Sequence, residues 1–219
     1  MNGYLGQQDT VLFSLTPDEN LGTSGVVGPD QQDQNGVRQG LVRFDNIIGP
    51  AAIPKGAKIN SATFVAQVKD SSNSAMQMSL YRMRTDWSEF TATWNSFGQI
   101  GGIQASEGES SDLPPDAVLL DPNVTASSPL TAGRWDVTRS LEHWASGEEN
   151  FGWLLESAST NGWDMFTKES PAAQRPTLTV DWVVPASNEF QILDTRFTQA
   201  EGDTGTVIAH VDVARLGNL

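Results

Sequence analysis

The chain has 219 residues and a formal net charge of −14, from 13 Lys and Arg against 27 Asp and Glu, with a pI near 4.3. Such a field repels a nucleic-acid backbone and an anionic lipid surface, so neither is expected as a partner. Without cysteine there is neither a disulfide framework nor a thiolate metal site, and no apolar run approaches the roughly 20 residues of a membrane-spanning helix.

The length suits one large β domain, or one domain plus a fragment of another. Short apolar runs punctuated by Gly, Pro, Ser and Asn favour β structure. The first ten residues lack the basic start and apolar core of a secretion signal. Either such a signal has been removed or export is not the route.

In chain order, Thr10 to Leu15 reads as an opening strand, followed by a long polar connection from Thr16 to Asn35 that must run over the surface. Leu41 to Phe44 is a strand with Leu41 and Arg43 on one face and Val42 and Phe44 on the other. Ile53 to Ala57 is a turn. Lys58 to Val68 alternates with period two, Met76 to Met83 does likewise after a polar turn at Asp70 to Ser74, and the two are expected to pair. Between Thr85 and Gly133 no Lys or Arg occurs while Asp86, Glu89, Glu107, Glu109, Asp112, Asp116 and Asp121 do, which reads as acidic loop.

One helix is expected over Val137 to Ser146, with Val137, Leu141 and Trp144 on one face, Asp136 capping its start and Gly147 ending it. It would plug one end of a sandwich. Strands resume at Gly152 to Ser157, Trp163 to Thr167 and Thr177 to Val184. After Pro185 the pattern restarts with Phe190 to Phe197, a Glu201 to Gly205 turn, and an alternating run from Val207 to Val213. A hairpin alone is marginal in water, so residues 186–219 either pack on a first domain at 1–185 or belong to a partial second β domain, and the second is the expectation.

Six ordered segments carry a family resemblance. They are Gln39 to Asp45; Ile53-Pro54-Lys55-Gly56-Ala57-Lys58-Ile59 running into Ser61 to Phe64; Asp86-Trp87-Ser88-Glu89 with Thr93-Trp94-Asn95; Trp135-Asp136-Val137-Thr138 with His143-Trp144 and Gly147; Asn150 to Trp153; and Phe166-Thr167-Lys168-Glu169 with Arg175-Pro176-Thr177-Leu178. In this order they resemble the DNRLRE group, extracellular modules that include family-96 carbohydrate-binding modules and disaggregatase-related domains. The resemblance spans roughly residues 5 to 185 and implies a jelly-roll-like β-sandwich. It also implies polysaccharide as partner, acidic glycans such as alginate among them. Ala200-Glu201-Gly202-Asp203 and Val211 to Arg215 resemble the opening of a Calx-beta domain, which implies further domains of the same polypeptide, or fibre subunits, as neighbours.

No HExxH or GxSxG motif accompanies the two histidines, His143 and His210, and a non-catalytic protein is expected. A pair of carboxylates acting on a glycoside stays open, since their separation is a property of the fold. Arg43, Lys168 and Arg175, joined on one sheet face by Arg82 and Arg84, would form a basic groove suited to uronate carboxylates. The competing reading is an internal ion-pair network such as Arg43 with Asp86 or Glu169.

Trp87, with Trp94 nearby, is either a sugar platform or a packing anchor, and Trp163, in a polar turn, is the better candidate for an exposed aromatic. Calcium is a possible structural ligand, held by Asp18, Asn20 and Asp30 with Asp33, or by the Glu107 to Asp121 loop. Two functions follow from different classes. One is a secreted or cell-surface polysaccharide-binding module; the other is a structural or adhesive module of a cell-surface or virion fibre.

Overall fold

The computed structural model describes residues 4–70, 78–111, 117–118, 132–158, 160, 162–186, 189–193 and 212–217. Its elements are β1 (Gln7–Phe13), β2 (Val26–Val27), β3 (Asp30–Asp33), β4 (Gly36–Phe44), β5 (Lys58–Asp70), β6 (Met78–Arg82), β7 (Ala117–Val118) and β8 (Ala132–Asp136). They continue with the helix α1 (Thr138–Ser146), then β9 (Trp153–Ser157), β10 (Asp164–Phe166), β11 (Thr177–Val183), β12 (Glu189–Ile192) and β13 (Val213–Leu216).

One sheet has the order β1-β4-β9-β6-β7, with β3 also on β4, and the other β11-β5-β10-β2, with β8 also on β5. The chain repeatedly crosses from one sheet to the other, so neighbours in a sheet are mostly distant in sequence. That is the jelly-roll-like sandwich expected from the sequence.

The expected pairing of β5 with β6 is wrong. They lie in opposite sheets, β6 pairing β9 and β7 while β5 pairs β11, β8 and β10. Period-two alternation fixes which side chains face the core but not which strand lies alongside. The Thr16 to Asn35 connection is likewise not all loop, for it contains β2 and β3.

Between the sheets lies an aromatic core. Trp153 packs against Trp144 at 4.8 Å between ring centroids and against Phe64 at 5.7 Å, and Phe64 against Trp135 at 5.4 Å. The buried indole N–H groups need acceptors. Trp153 Nε1 donates to Ser140 Oγ (2.9 Å) and Trp135 Nε1 to the Met78 carbonyl (3.2 Å). Helix α1 lays Leu141 and Trp144 into this core, and Asp136 Oδ1 accepts from both the amide and the hydroxyl of Thr138 at its start. Gly147, at φ +122°, ends it.

The first sheet is covered on its outer face as well. Leu12, Leu41, Met83 and Leu154 turn away from the sandwich interior and pack under Trp87, Ala92, Phe97 and Ile103 of the segment that follows β6. The first half of the acidic loop is therefore a lid with its own small core, pinned where Trp87 Nε1 donates to the Phe151 carbonyl at 2.7 Å. Asp112 and Asp116, and residues 119–131 with Asp121, lie outside the described residues.

Beyond Pro185, β12 and β13 form an antiparallel hairpin, Phe190 opposite Arg215 and Ile192 opposite Val213. It docks beside α1, where Gly217 N donates to the Gly56 carbonyl (2.9 Å) and the Gln191 amide meets Glu142. Ala214 and Leu216 are buried, while Phe190, Ile192 and Val213 are exposed. The expected turn at Glu201 to Gly205, His210 and most of the Val207 to Val213 run lie outside the described residues.

Candidate functional site

The sandwich does not close where the edge strand of the first sheet, β1, faces the edge strand of the second, β11. An open cleft of about 820 Å³ remains there, within the usual range for ligand sites. Phe44, Ile47 and Ile53 form its floor, Leu178, Val180 and Trp182 one wall, and Tyr4, Leu5 and Gln7 the other.

The sequence builds these walls locally. Leu178 and Val180 pair with Phe64 and Ala62, and a register shift after Asp181 sets Trp182 opposite Ile59. The extra residue, Asn60, lies in β5, so that the buried Ile59 rather than exposed Asn60 stands opposite Trp182, whose inward side follows from the unbroken alternation of β11. Tyr4 stacks on Phe44 with centroids 6.0 Å apart and donates its hydroxyl to the Asp45 carbonyl at 2.6 Å. Burial and the Asp45 carboxylate raise its phenol well above the ordinary range, so it stays a neutral donor.

Arg175 stands at one end of the cleft. Its Nε donates to the Ser170 carbonyl at 2.8 Å, and no carboxylate partners its terminal nitrogens among the described residues. Among the described residues it is the only charged side chain in the walls, and no Asp or Glu lines them.

The expected basic groove does not form. Arg43 and Arg82 lie in the same sheet but on opposite faces: Arg43 points with Leu41 under the lid, Arg82 with Leu80 into the sandwich. Arg43 Nη1 lies 2.5 Å from Asp86 and its Nε 2.7 Å from Asp45, with its guanidinium over the Trp87 ring. Arg82 meets Glu148 at 2.9 Å. His143 Nδ1 takes the other oxygen of that carboxylate, also at 2.9 Å. The histidine bond, then Arg82 with Arg84 behind it, hold the Glu148 carboxyl below its ordinary value against the effect of burial.

Lys168 Nζ is paired with Glu89 and lies 3.8 Å from Glu169, and its amide donates to Asp9 Oδ2 at 3.0 Å. Burial pushes the Asp9 carboxyl up to about 7. The ion-pair network is thus what Arg43, Arg82 and Lys168 build. Of the predicted cations, Arg175 alone lines the cleft.

Trp163 is a correction. It is fully buried rather than exposed, because its ring packs in the core between the sheets. Trp87 is 5% exposed and anchors the lid, and Trp94 packs with it. Of the residues expected to hold calcium, Asn20, Asp18 and Asp30 make hydrogen bonds within the protein, and the Asp33 side chain lies outside the described residues. Asn20 Nδ2 donates to the carbonyls of Glu89 and Ala92 at 2.8 Å, Asp18 accepts from Asn95 at 2.9 Å, and both Asp30 oxygens accept backbone amides, of Gln32 and Gly162.

Sequence reasoning missed Trp182 and Tyr4. In β11 the apolar residues alternate as in any core-facing strand, and nothing in that pattern reveals that the opposing edge stands back.

Compared with known families, residues 5–106 match the model of carbohydrate-binding module family 96. The matched span contains β1 to β6, much of the lid and the floor of the cleft, whereas the β11 wall and Arg175 lie beyond it. No curated protein matches the chain.

Proposed function

We propose that the chain is an extracellular, non-catalytic carbohydrate-binding module of family 96 whose glycan lies in the cleft between β1 and β11. The observation that carries this reading is the charge of the cleft: on a chain of net charge −14, its described walls hold one arginine and no acid. An indole face stacks on the apolar face of a pyranose, and Trp182 and Tyr4 supply two aromatic surfaces. Thr177 and Thr179 bring hydrogen-bonding groups to the rim.

The terminal nitrogens of Arg175 suit a uronate carboxylate, which favours an acidic glycan such as alginate. Affinity electrophoresis through gels holding alginate, a neutral glucan or a neutral mannan tests the reading. Retardation by at least one glycan, alginate most strongly, is the expected result, and free migration in all three contradicts it.

The exposed side chains of Phe190, Ile192 and Val213 on the outer face of the hairpin favour a second reading, an adhesive module whose hairpin contacts another domain or fibre subunit. Free migration in every gel, together with self-association in solution, would support that reading instead.

A further inference from the structure

A cluster remote in role from the cleft lies where the lid meets the edge of β1. The carboxylates of Asp9, Glu89 and Glu169 each place an oxygen within 4.8 Å of the others. Asp9 is 1% exposed and Glu89 likewise. Glu89 Oε1 accepts the outward amide of Asp9 (3.2 Å), so the lid caps an edge N–H that would otherwise be unpaired.

Against these three carboxylates stands one ammonium, that of Lys168. Asp9 and Glu89 are buried and Glu169 stands at the solvent side, so two buried carboxylates share one ammonium, and the cluster has room for a further cation or hydrogen-bond donor. The hydrogen bonding is incomplete at the same place. Asp9 Oδ2 accepts from the Lys168 amide and from Gln7 Nε2, but Asp9 Oδ1 is buried with no partner among the described residues. On its inner side Asp9 borders a void of only about 10 Å³ whose other walls are apolar except for Thr167. A water there would find too few polar partners to be well held.

We infer that Asp9, Glu89 and Glu169 form a binding site for one hard divalent cation, with calcium as the best fit. A divalent ion brings the cluster to neutrality with Lys168 retained. Three carboxylates can offer up to six oxygens, and the orphaned Asp9 oxygen gains a ligand bond. Calcium tolerates such an irregular, partly bidentate set better than magnesium, which requires a near-ideal octahedron. The role is structural: the ion would tie the lid, β1 and the Lys168 turn together. This site is independent of whether the cleft binds glycan.

The test is thermal unfolding of chelator-treated protein at pH 8, with and without calcium chloride, potassium chloride matching the ionic strength. Calcium at about 100 times its dissociation constant should raise Tm by about 5 °C, and titration calorimetry should give one site. Glu169→Gln, at the solvent side of the cluster, and Asp9→Asn should each remove most of that rise. Should Asp9→Asn fail to fold, Glu169→Gln decides alone. Equal Tm with and without calcium, or a calcium response in Glu169→Gln equal to that of the parent protein, overturns the inference.

Discussion

The outer face of the first sheet and the open edge between β1 and β11 treat similar residues in opposite ways. Under the lid, Trp87 is 5% exposed and bonded to a carbonyl, while Arg43 is held between Asp45 and Asp86 above its ring. At the open edge Trp182 is only half-buried, and Arg175 is steadied by one carbonyl with no acid opposite. In the first region aromatic and cation serve each other; in the second they are left facing solvent. An indole and a guanidinium are evidence for ligand binding only where the protein itself has not used them.

The contrast breaks most visibly at the tryptophans. Trp87→Ala should lower unfolding free energy by about 3 to 5 kcal/mol through the cavity it leaves under the lid, measured by denaturant titration, while the folded fraction still binds glycan. Trp182→Ala should cost less than half as much stability and weaken glycan binding at least tenfold by calorimetry. Equal stability losses would mean that the cleft is closed in solution.

The arginines give a smaller effect of the same kind. Arg43→Ala leaves two carboxylates without their partner and should cost about 2 kcal/mol with affinity unchanged. Arg175→Ala should alter stability by less than about 0.5 kcal/mol and cost about tenfold in affinity for an acidic glycan, or about 1.4 kcal/mol.

The smallest effect concerns pH. The Glu148 carboxyl is depressed in the folded protein by His143 and then Arg82, so its contribution is present above its unfolded pKa, near 4.5, and is lost as pH falls through the lower folded value. Thermal melts below pH 4.5 should show Glu148→Gln losing less stability than the parent protein, with glycan binding at neutral pH alike in both.

Much of the fold could be read from the sequence. The alternation in β5 and the i, i+4, i+7 face of α1 are local consequences of period, and the structure places them within a few residues of expectation, whereas β4 begins at Gly36, well before the expected Leu41. Partnership was not legible: β5 and β6 look like a hairpin because both alternate, and only the assembled sandwich puts them in opposite sheets. Site residues divide the same way. Arg43 with Asp86 was foreseeable as an ion pair from residue type, whereas Trp163 misled because polar neighbours say nothing of where a ring points. Trp182 was invisible because its strand reads as core, and the gap beside it is a property of two edges far apart in sequence.

The proposed function places the glycan in the cleft between β1 and β11. Isothermal titration of soluble alginate oligosaccharides into the parent protein, Trp182→Ala and Arg175→Ala, each first shown to be folded by its melting curve, tests this most directly. Binding by the parent protein at one site, with affinity reduced at least tenfold in both variants, is predicted. Binding that survives both substitutions unchanged would place the glycan elsewhere on the molecule and contradict the account.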